Sequence, residues 1–250
     1  MTAHETDGAV QALNEELESQ SAPEILAWAL GEFHPRIAMA TSFGAEGVVV
    51  IDMLMKLHPE ARVFTLDTGR LPHETYTLME AIRERYGLAI EVYFPQASQV
   101  EAMARERGVN LFYRSVEDRK LCCHTRKVEP LQRALAGLDA WITGLRREQA
   151  LTRTGIRKVA VDTKQGGIVK VNPLADWTWD QVWEYIRVHD VPYNALHDRG
   201  YPSIGCAPCT RAVRLGEDLR AGRWWWEHDS AAKECGLHPV GPGAGRAVLR

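Results

Sequence analysis

The chain has 250 residues, 45% of them hydrophobic and 25% charged, which is typical of a soluble globular protein. Its net charge of −3 argues against a generic nucleic-acid binder, because such proteins usually carry a clear basic excess. No apolar run approaches the ~20 residues needed to cross a bilayer, and the polar, acidic N-terminus does not resemble a signal peptide. We therefore predict a cytoplasmic protein without a membrane or nucleic-acid partner.

The hydrophobic pattern predicts strands that alternate with helices along most of the chain. Two short helices are expected within residues 8–33, before the first strand. The later strands are predicted at residues 37–40, 62–66, 89–94 and 140–143, and the later helices at 48–57, 72–86, 98–107, 124–136 and 178–189. Residues 159–162 and 168–171 flank a glycine pair and predict a hairpin.

This alternation is typical of an α/β protein with a parallel sheet and helices on both faces. We predict N-terminal helices over residues 1–34, one α/β domain over residues 35–215 and a C-terminal segment over residues 216–250. Residues after Gly241 are rich in glycine and proline, so the end of that segment is expected to be mobile.

Three turns that follow predicted strands carry residues suited to an anion. In an open parallel sheet, ligands bind at the carboxyl ends of the strands, where helix N-termini also offer amide groups. The turns contain Ser42, Phe43 and Gly44, then Leu66, Asp67 and Thr68, and then Gly144, Arg146 and Arg147. Each turn alone is compatible with an ordinary solvated loop, but together they favour an oxyanion or nucleotide site. The first turn is neither a Walker A nor a GxGxxG sequence.

Four of the five cysteines form two pairs, Cys122–Cys123 and Cys206–Cys209. A disulfide framework is not expected in a cytoplasmic chain of this length. Four thiolates suit either structural zinc or an iron–sulfur cluster, and spacing alone leaves both possibilities open. Lys127 lies one helical turn beyond Cys123 and is placed to point from this site toward a substrate.

The fifth cysteine, Cys235, stands apart from both pairs. Lys233 and His238 lie beside it in sequence, and neighbouring cations favour the thiolate that a nucleophile needs. Arg220 and Arg223 lie shortly upstream, where they could hold an anionic group. The residues alone leave two readings open, a reactive thiol and an incidental one.

Taken in order, these motifs resemble those of the assimilatory sulfonucleotide reductases. The resemblance covers about residues 35–238 and is most specific in Glu-Cys-Gly-Leu-His at 234–238. The two cysteine pairs resemble the branch that reduces adenosine 5′-phosphosulfate (APS) and binds one 4Fe-4S cluster; the branch without them typically uses the 3′-phosphorylated nucleotide, PAPS. The implied fold is adenine nucleotide alpha hydrolase-like, of the PP-loop type. The phosphate turn is one residue shorter than usual, and Gly47 stands at an acidic position of the family.

The resemblance also implies a mechanism and a set of roles. Cys235 would attack the sulfur of APS, AMP would leave, and thioredoxin or a similar dithiol protein would release sulfite from a Cys235 S-sulfonate. Lys127, Arg220, Arg223 and His238 match positions that hold the phosphosulfate group and support the nucleophile. The alternatives are a PAPS reductase, a PP-loop ATP pyrophosphatase and a non-catalytic iron–sulfur protein, and a homo-oligomer is compatible with all of them.

Overall fold

The computed structural model describes residues 13–150 and 153–227 together with Leu237. A six-stranded sheet in the order β3-β2-β1-β4-β6-β5 forms its centre. All pairings are parallel except that of β5 with β6, which is the predicted hairpin. The strands are β1 Ile37–Thr41, β2 Arg62–Leu66, β3 Ile90–Tyr93, β4 Ala140–Ile142, β5 Val159–Asp162 and β6 Ile168–Val171.

Helices cover the sheet and connect its strands. Residues 13–17 are also helical, as expected for the end of the first short helix. The others are α1 Ala22–Phe33, α2 Ala45–Leu57, α3 His73–Tyr86, α4 Ala97–Arg107, α5 Val116–Cys123, α6 Glu129–Leu135 and α7 Trp179–Val188. A π-helix over His124–Val128 joins α5 to α6, and short 3₁₀ turns follow α7 at His197–Arg199 and Ala207–Cys209. Within the described ranges, no helix is long and apolar enough to cross a membrane.

The alternation of side chains along each strand explains why both faces of the sheet carry helices. Ile37 and Met39 of β1 belong to a large apolar cluster that includes buried residues of α1, α2, α3 and α7. Ala38, between them, belongs to a second cluster with Leu131 of α6 and Trp141 of β4. Strands buried on both sides read as continuous apolar runs, and this made β1 and β2 recognisable in the sequence.

Helix α5 is the main element that the sequence did not predict. It has only eight residues, and its buried members are Asp118, Arg119, Cys122 and Cys123, so no apolar stripe marks it. Ser115 caps it by accepting a hydrogen bond from the backbone nitrogen of Asp118. The helix predicted over residues 124–136 is therefore the continuation of an earlier helix, interrupted by one π-helical segment. π-Helical segments often lie at functional sites.

A buried carboxylate, Asp52 of α2, ties three helices together on one face of the sheet. It accepts hydrogen bonds from the hydroxyls of Tyr86 at the end of α3 (2.8 Å) and Tyr185 of α7 (2.6 Å). Lys56 lies 2.6 Å from the same carboxylate. Burial acts to raise the pKa of Asp52, but these three partners outweigh it and hold the pKa below its ordinary value of 3.8.

We expect Asp52→Asn to destabilise the fold at neutral pH and to matter less in acid. A carboxyl whose pKa is depressed by folding stabilises the protein above its unfolded pKa, and this contribution is lost as the pH falls through the folded value. The difference in free energy of unfolding between wild type and variant should therefore shrink below about pH 4. Urea unfolding of both proteins at pH 7 and pH 3 measures it. A difference that stays constant or grows in acid would contradict the prediction.

Candidate active site

A cavity of about 240 Å³ opens where the carboxyl ends of β1, β2 and β4 meet. A ligand site was predicted from the sequence at this edge of the sheet. Six of the residues predicted to bind substrate line it, namely Ser42, Gly44, Leu66, Thr68, Gly144 and Arg146. The predicted site residues Lys127, Arg220 and Arg223 line it as well. Three separate turns of the chain therefore converge on one cavity.

The first turn brings the N-terminus of α2 to the cavity wall. Gly44 is the N-cap of this 13-residue helix, and Gly47 in its first turn also lines the cavity. A Cβ at Gly47 would lie 2.5 Å from the hydroxyl oxygen of Thr41, so only glycine allows the helix to start this close to β1. The helix end offers free amides and a positive dipole to an anion.

Arg146 lines the cavity, and its guanidinium is also held by carboxylates. It is 1% exposed, and its Nε and Nη2 donate to the Glu46 carboxylate at 3.0 and 2.9 Å. Its Nη1 donates to Glu148 and to the carbonyl of Trp177. The guanidinium therefore joins the loop after β4 to the first turn of α2 rather than presenting a free fork to a ligand. Gly144 supports the same junction, because a Cβ there would lie 3.1 Å from that of Glu46.

Three predicted substrate residues do not line the cavity. The Phe43 side chain is fully buried in the apolar core, at a backbone φ of 56°. Asp67 accepts hydrogen bonds from the Gly69 amide at 2.7 Å and the Tyr76 hydroxyl at 3.0 Å. Arg147 donates to Glu18 at 2.9 Å and to the carbonyl of Ile156. Phe43 and Asp67 thus shape their turns, whereas Arg147 ties the N-terminal region to a distant loop.

The cavity wall combines positive charge with apolar surface. Lys127, Arg220, Arg223 and Arg153 supply the charge, and Arg153 is one that the sequence did not single out. Leu131 of α6 and Trp141 of β4 supply apolar surface. Such a lining suits a ligand with an aromatic or apolar body and an anionic group. Trp141 was predicted from the sequence to lie in a strand, and it was not predicted to line a ligand site.

Two residue pairs distant in sequence meet in a second, smaller cavity. Cys122, Cys123, Cys206 and Cys209 all line it, and all four are buried and free of disulfides. Arg70, Arg119, Arg126, Lys127 and Arg223 line it too. The predicted convergence of the four thiols is therefore present in the fold. Lys127 and Arg223, with Trp224, belong to the walls of both cavities.

Hydrogen bonds join the second cysteine pair to the end of β2. The Thr68 hydroxyl lies 3.2 Å from the Cys206 sulfur, and the Ala207 amide donates to the carbonyl of Arg70 at 2.8 Å. Arg126 donates to the carbonyl of Thr68. Thr68 therefore lines the strand-end cavity while its hydroxyl contacts a thiol of the neighbouring one.

The cationic surroundings act unevenly on the thiols. Burial acts to raise the pKa of Cys206, but Lys127, the Thr68 hydroxyl and Arg223 outweigh it, so this pKa lies below its ordinary value. Burial raises the pKa of Cys122 despite the nearby Arg126. Burial and then the neighbouring Cys206 raise the pKa of Cys209 to about 12. Four thiolates this close need a cationic partner to offset their mutual repulsion.

The four thiols of the smaller cavity are the groups there that could bind a metal ion or a metal cluster. In the described residues, no three Cys, His, Asp or Glu side chains are gathered tightly enough to hold a single metal ion. Four buried thiols outside any disulfide around one cavity nevertheless match the ligands that an iron–sulfur cluster needs, since each of its four irons accepts one thiolate. The basic lining would compensate the charge of the ligands. The residues present therefore fit a cluster better than one tetrahedral ion.

Two of the predicted catalytic residues, Cys235 and His238, lie outside the described residues. Leu237, which stands between them in sequence, is described. It lines the strand-end cavity and packs on the apolar cluster that contains Leu131 and Trp141.

Comparisons with known proteins agree on one family. A family model described as the phosphoadenosine phosphosulfate reductase domain matches residues 36–212. The adenosine 5′-phosphosulfate reductase of Burkholderia cepacia is 52% identical over 209 residues, which cover 84% of this chain and 83% of that protein.

Solved structures support the same conclusion about the fold. The crystal structure of phosphoadenylyl-sulfate (PAPS) reductase from Candida auris, a phosphate complex, aligns with a TM-score of 0.70 and 34% identity. The alignment covers 82% of this chain and 96% of that one. The FMN adenylyltransferase of Candida glabrata aligns at a TM-score of 0.54 and 14% identity, over 93% of this chain and 78% of that one. At that identity, the second match shows a common fold alone.

Proposed function

Because this chain belongs to the phosphoadenosine phosphosulfate reductase family, we propose that it reduces APS to sulfite and AMP. The observation that carries the proposal is the common wall of the two cavities. Lys127 and Arg223 line both the strand-end cavity and the cavity of the four thiols, so cations stand where a nucleotide-bound sulfate would meet the cysteine site. The name of the Burkholderia cepacia relative, at 52% identity, supports the same substrate.

PAPS is the second candidate substrate. The relative from Candida auris, named a PAPS reductase, favours it, but that relative is 34% identical whereas the Burkholderia cepacia APS reductase is 52% identical. The presence of both cysteine pairs also resembles the branch that uses APS. We therefore place APS first.

The same site is proposed to hold one 4Fe-4S cluster on Cys122, Cys123, Cys206 and Cys209. Once bound, the cluster would supply fixed charge beside the substrate and brace the second cysteine pair against α5, with its ligand positions filled by the thiolates. Lys127 lies in the π-helix that follows Cys123, and it lines both cavities.

The described residues are proposed to bind and orient the nucleotide. The apolar wall at Leu131 and Trp141 suits the adenine ring, and the amides at the N-terminus of α2 suit the 5′-phosphate. Arg220, Arg223 and Lys127 suit the sulfate. Neutralising this group makes its sulfur a better electrophile and AMP a better leaving group. Glu46 and Arg146 would keep two of the turns in register.

The proposed nucleophile is Cys235. Leu237, which follows Cys235 by two residues in the sequence, lines the cavity. Its thiolate would attack the sulfur of APS, the bond from sulfur to the phosphate oxygen would break, and AMP would leave with the electron pair. His238 would support the thiolate. The product on the enzyme is a Cys235 S-sulfonate.

Release of sulfite requires two electrons from a dithiol. A thiolate of the donor, which we propose to be thioredoxin or a similar protein, would attack the Cys235 sulfur. The bond to the sulfonate would break, and sulfite would leave with the electron pair. The second thiol of the donor would then resolve the mixed disulfide and restore Cys235. We also propose that the chain divides at residues 34 and 215, that it is cytoplasmic and that it forms a homo-oligomer.

Steady-state assays with reduced thioredoxin test the proposal. We expect sulfite formation from APS, with kcat/KM for PAPS lower by at least about tenfold. Each 1.36 kcal/mol of discrimination is a factor of ten in rate. A preference for PAPS would transfer the assignment to the second candidate. Pyrophosphate release from ATP with no sulfite from either nucleotide would overturn it in favour of an ATP pyrophosphatase.

A further inference from the structure

The guanidinium of Arg223, which lines both cavities, is surrounded mainly by backbone and aromatic groups. It is 7% exposed, and its Nη1 donates to the carbonyl of Ile204 at 3.1 Å. Its Nε is buried with no hydrogen-bond partner among the residues that the structure describes. Among the residues that the structure describes, no carboxylate contacts this guanidinium, in contrast to that of Arg146. Its position depends on packing.

One packing partner is Gly205, immediately before the second cysteine pair. A Cβ at this glycine would lie 2.2, 2.5 and 2.7 Å from Nη2, Cζ and Nη1 of Arg223. Three guanidinium atoms at such distances mean that the plane of the group lies against the glycine backbone. The φ angle of Gly205 is not positive, so other residues could adopt this backbone conformation. Glycine is required at this position because of the close contact with the Arg223 guanidinium.

The other packing partner is Trp224. The Arg223 guanidinium carbon lies 4.9 Å from the Trp224 ring centroid, and that of Arg119 lies 4.7 Å from it. Cation–π contacts at buried rings are worth more than those at the surface. Trp224 is 1% exposed and has a φ of 42°, a backbone conformation that a bulky residue adopts only when its surroundings enforce it.

The surroundings that enforce it are identifiable. Arg119 makes a two-pronged ion pair with Glu227 at 2.8 and 2.9 Å, and both side chains are almost completely buried. The Trp224 amide donates to the carbonyl of Cys209 at 3.1 Å, and the Glu227 amide donates to the carbonyl of Trp224 at 2.9 Å. Arg119 lies one helical turn before Cys122. Trp224 is therefore held by elements that carry both cysteine pairs.

We propose that Trp224 and Gly205 are positioning residues that fix the Arg223 guanidinium between the two cavities, with the Arg119–Glu227 pair holding Trp224 in place. This inference rests on the proposed function in one respect, that the anion held by Arg223 is the phosphosulfate of APS. A flexible arginine would lose conformational entropy on binding, and a packed one has already lost it. Loosening either contact should weaken binding of the anionic group and spare the rest of the nucleotide.

A double-mutant cycle between Trp224→Phe and Arg223→Ala tests the proposal. Equilibrium binding is measured in full-length protein that also carries Cys235→Ser, so that APS is bound without transfer. We expect Trp224→Phe to weaken APS binding about tenfold, whereas adenosine binding changes less than about twofold. In the Arg223→Ala background, Trp224→Phe should have no further effect. The neighbouring Trp225→Phe is the matched control, since Trp225 is 49% exposed and should change neither affinity.

Gly205→Ala provides an independent route, because it displaces the guanidinium without altering Trp224. It should reproduce the selective loss of APS affinity, and it decides the question if Trp224→Phe does not fold. Multiplicative losses in the cycle, or equal losses of APS and adenosine affinity, would overturn the proposal. Wild-type protein that binds APS but forms no sulfite would overturn the proposed function instead, and the cycle would remain interpretable. Iron content and Tm are measured for every variant to confirm that the site is intact.

Discussion

Cys235→Ser is expected to abolish sulfite formation, with a fall in kcat of at least about 10³-fold. A serine hydroxyl is almost entirely protonated near neutral pH, and it lacks the polarisable sulfur that the dithiol donor must attack. Of the five cysteines, Cys235 is the one not assigned to the cavity of the four thiols. No other thiol would therefore be available to replace it. Sulfite release in the presence of thioredoxin measures the effect.

Intact-mass spectrometry separates this role from a structural one. Wild-type protein mixed with APS but no reductant should gain one sulfonate group, and Cys235→Ser should gain none. The variant should retain the APS affinity, the iron content and the Tm of the wild type, because its side chain is not proposed to build the cavity. A sulfonate mapped to Cys209, or turnover that survives the substitution, would exclude the proposed nucleophile.

The central strands β1 and β2 were predictable because they are buried on both faces of the sheet. β2 is found at the predicted residues, Arg62–Leu66, and β1 extends one residue beyond the prediction to Thr41. Short apolar runs bounded by turns carry this information locally. Helix α5 was not predictable in the same way, since it buries Arg119 and Asp118 together with two cysteines. Its burial is set by Glu227 and by the thiol cavity, which are distant in sequence.

The candidate site shows the same division between local and distant information. Sequence reasoning could place anion-binding groups at strand ends, because all parallel strands end at one edge. It could not distinguish Arg146 from Arg223, since both are arginines near turns. Glu46, about a hundred residues away, binds Arg146, whereas in the described part of the chain Arg223 packs against Gly205 and Trp224 and contacts no carboxylate. The choice of partner is a property of the packed structure.

Cys206→Ser is expected to remove essentially all bound iron and sulfide, and with them the visible absorption of the protein. Cys206 contacts its neighbours through both its side chain and its backbone. Its sulfur lies beside the Thr68 hydroxyl, and its carbonyl accepts a hydrogen bond from the Thr210 hydroxyl. Between α7 and residue 227 the described chain forms only short 3₁₀ turns, so little regular structure would hold this segment without the four-thiolate site. We expect Tm to fall by on the order of 10 °C. Anaerobic purification, metal analysis and thermal unfolding measure these changes.

Comparison of Cys206→Ser with Cys235→Ser distinguishes loss of the cluster from loss of the nucleophile. Both variants should lose sulfite formation, but only Cys206→Ser should lose iron, because Cys206 lines the cavity of the four thiols together with Lys127 and Arg223. APS affinity should also fall in Cys206→Ser, since Arg223 lines both cavities and Thr68, which lines the strand-end cavity, has its hydroxyl 3.2 Å from the Cys206 sulfur. A wild-type protein that contains zinc and no iron, or a Cys206→Ser protein that keeps its iron, would contradict the proposed ligand set and weaken the choice of APS over PAPS.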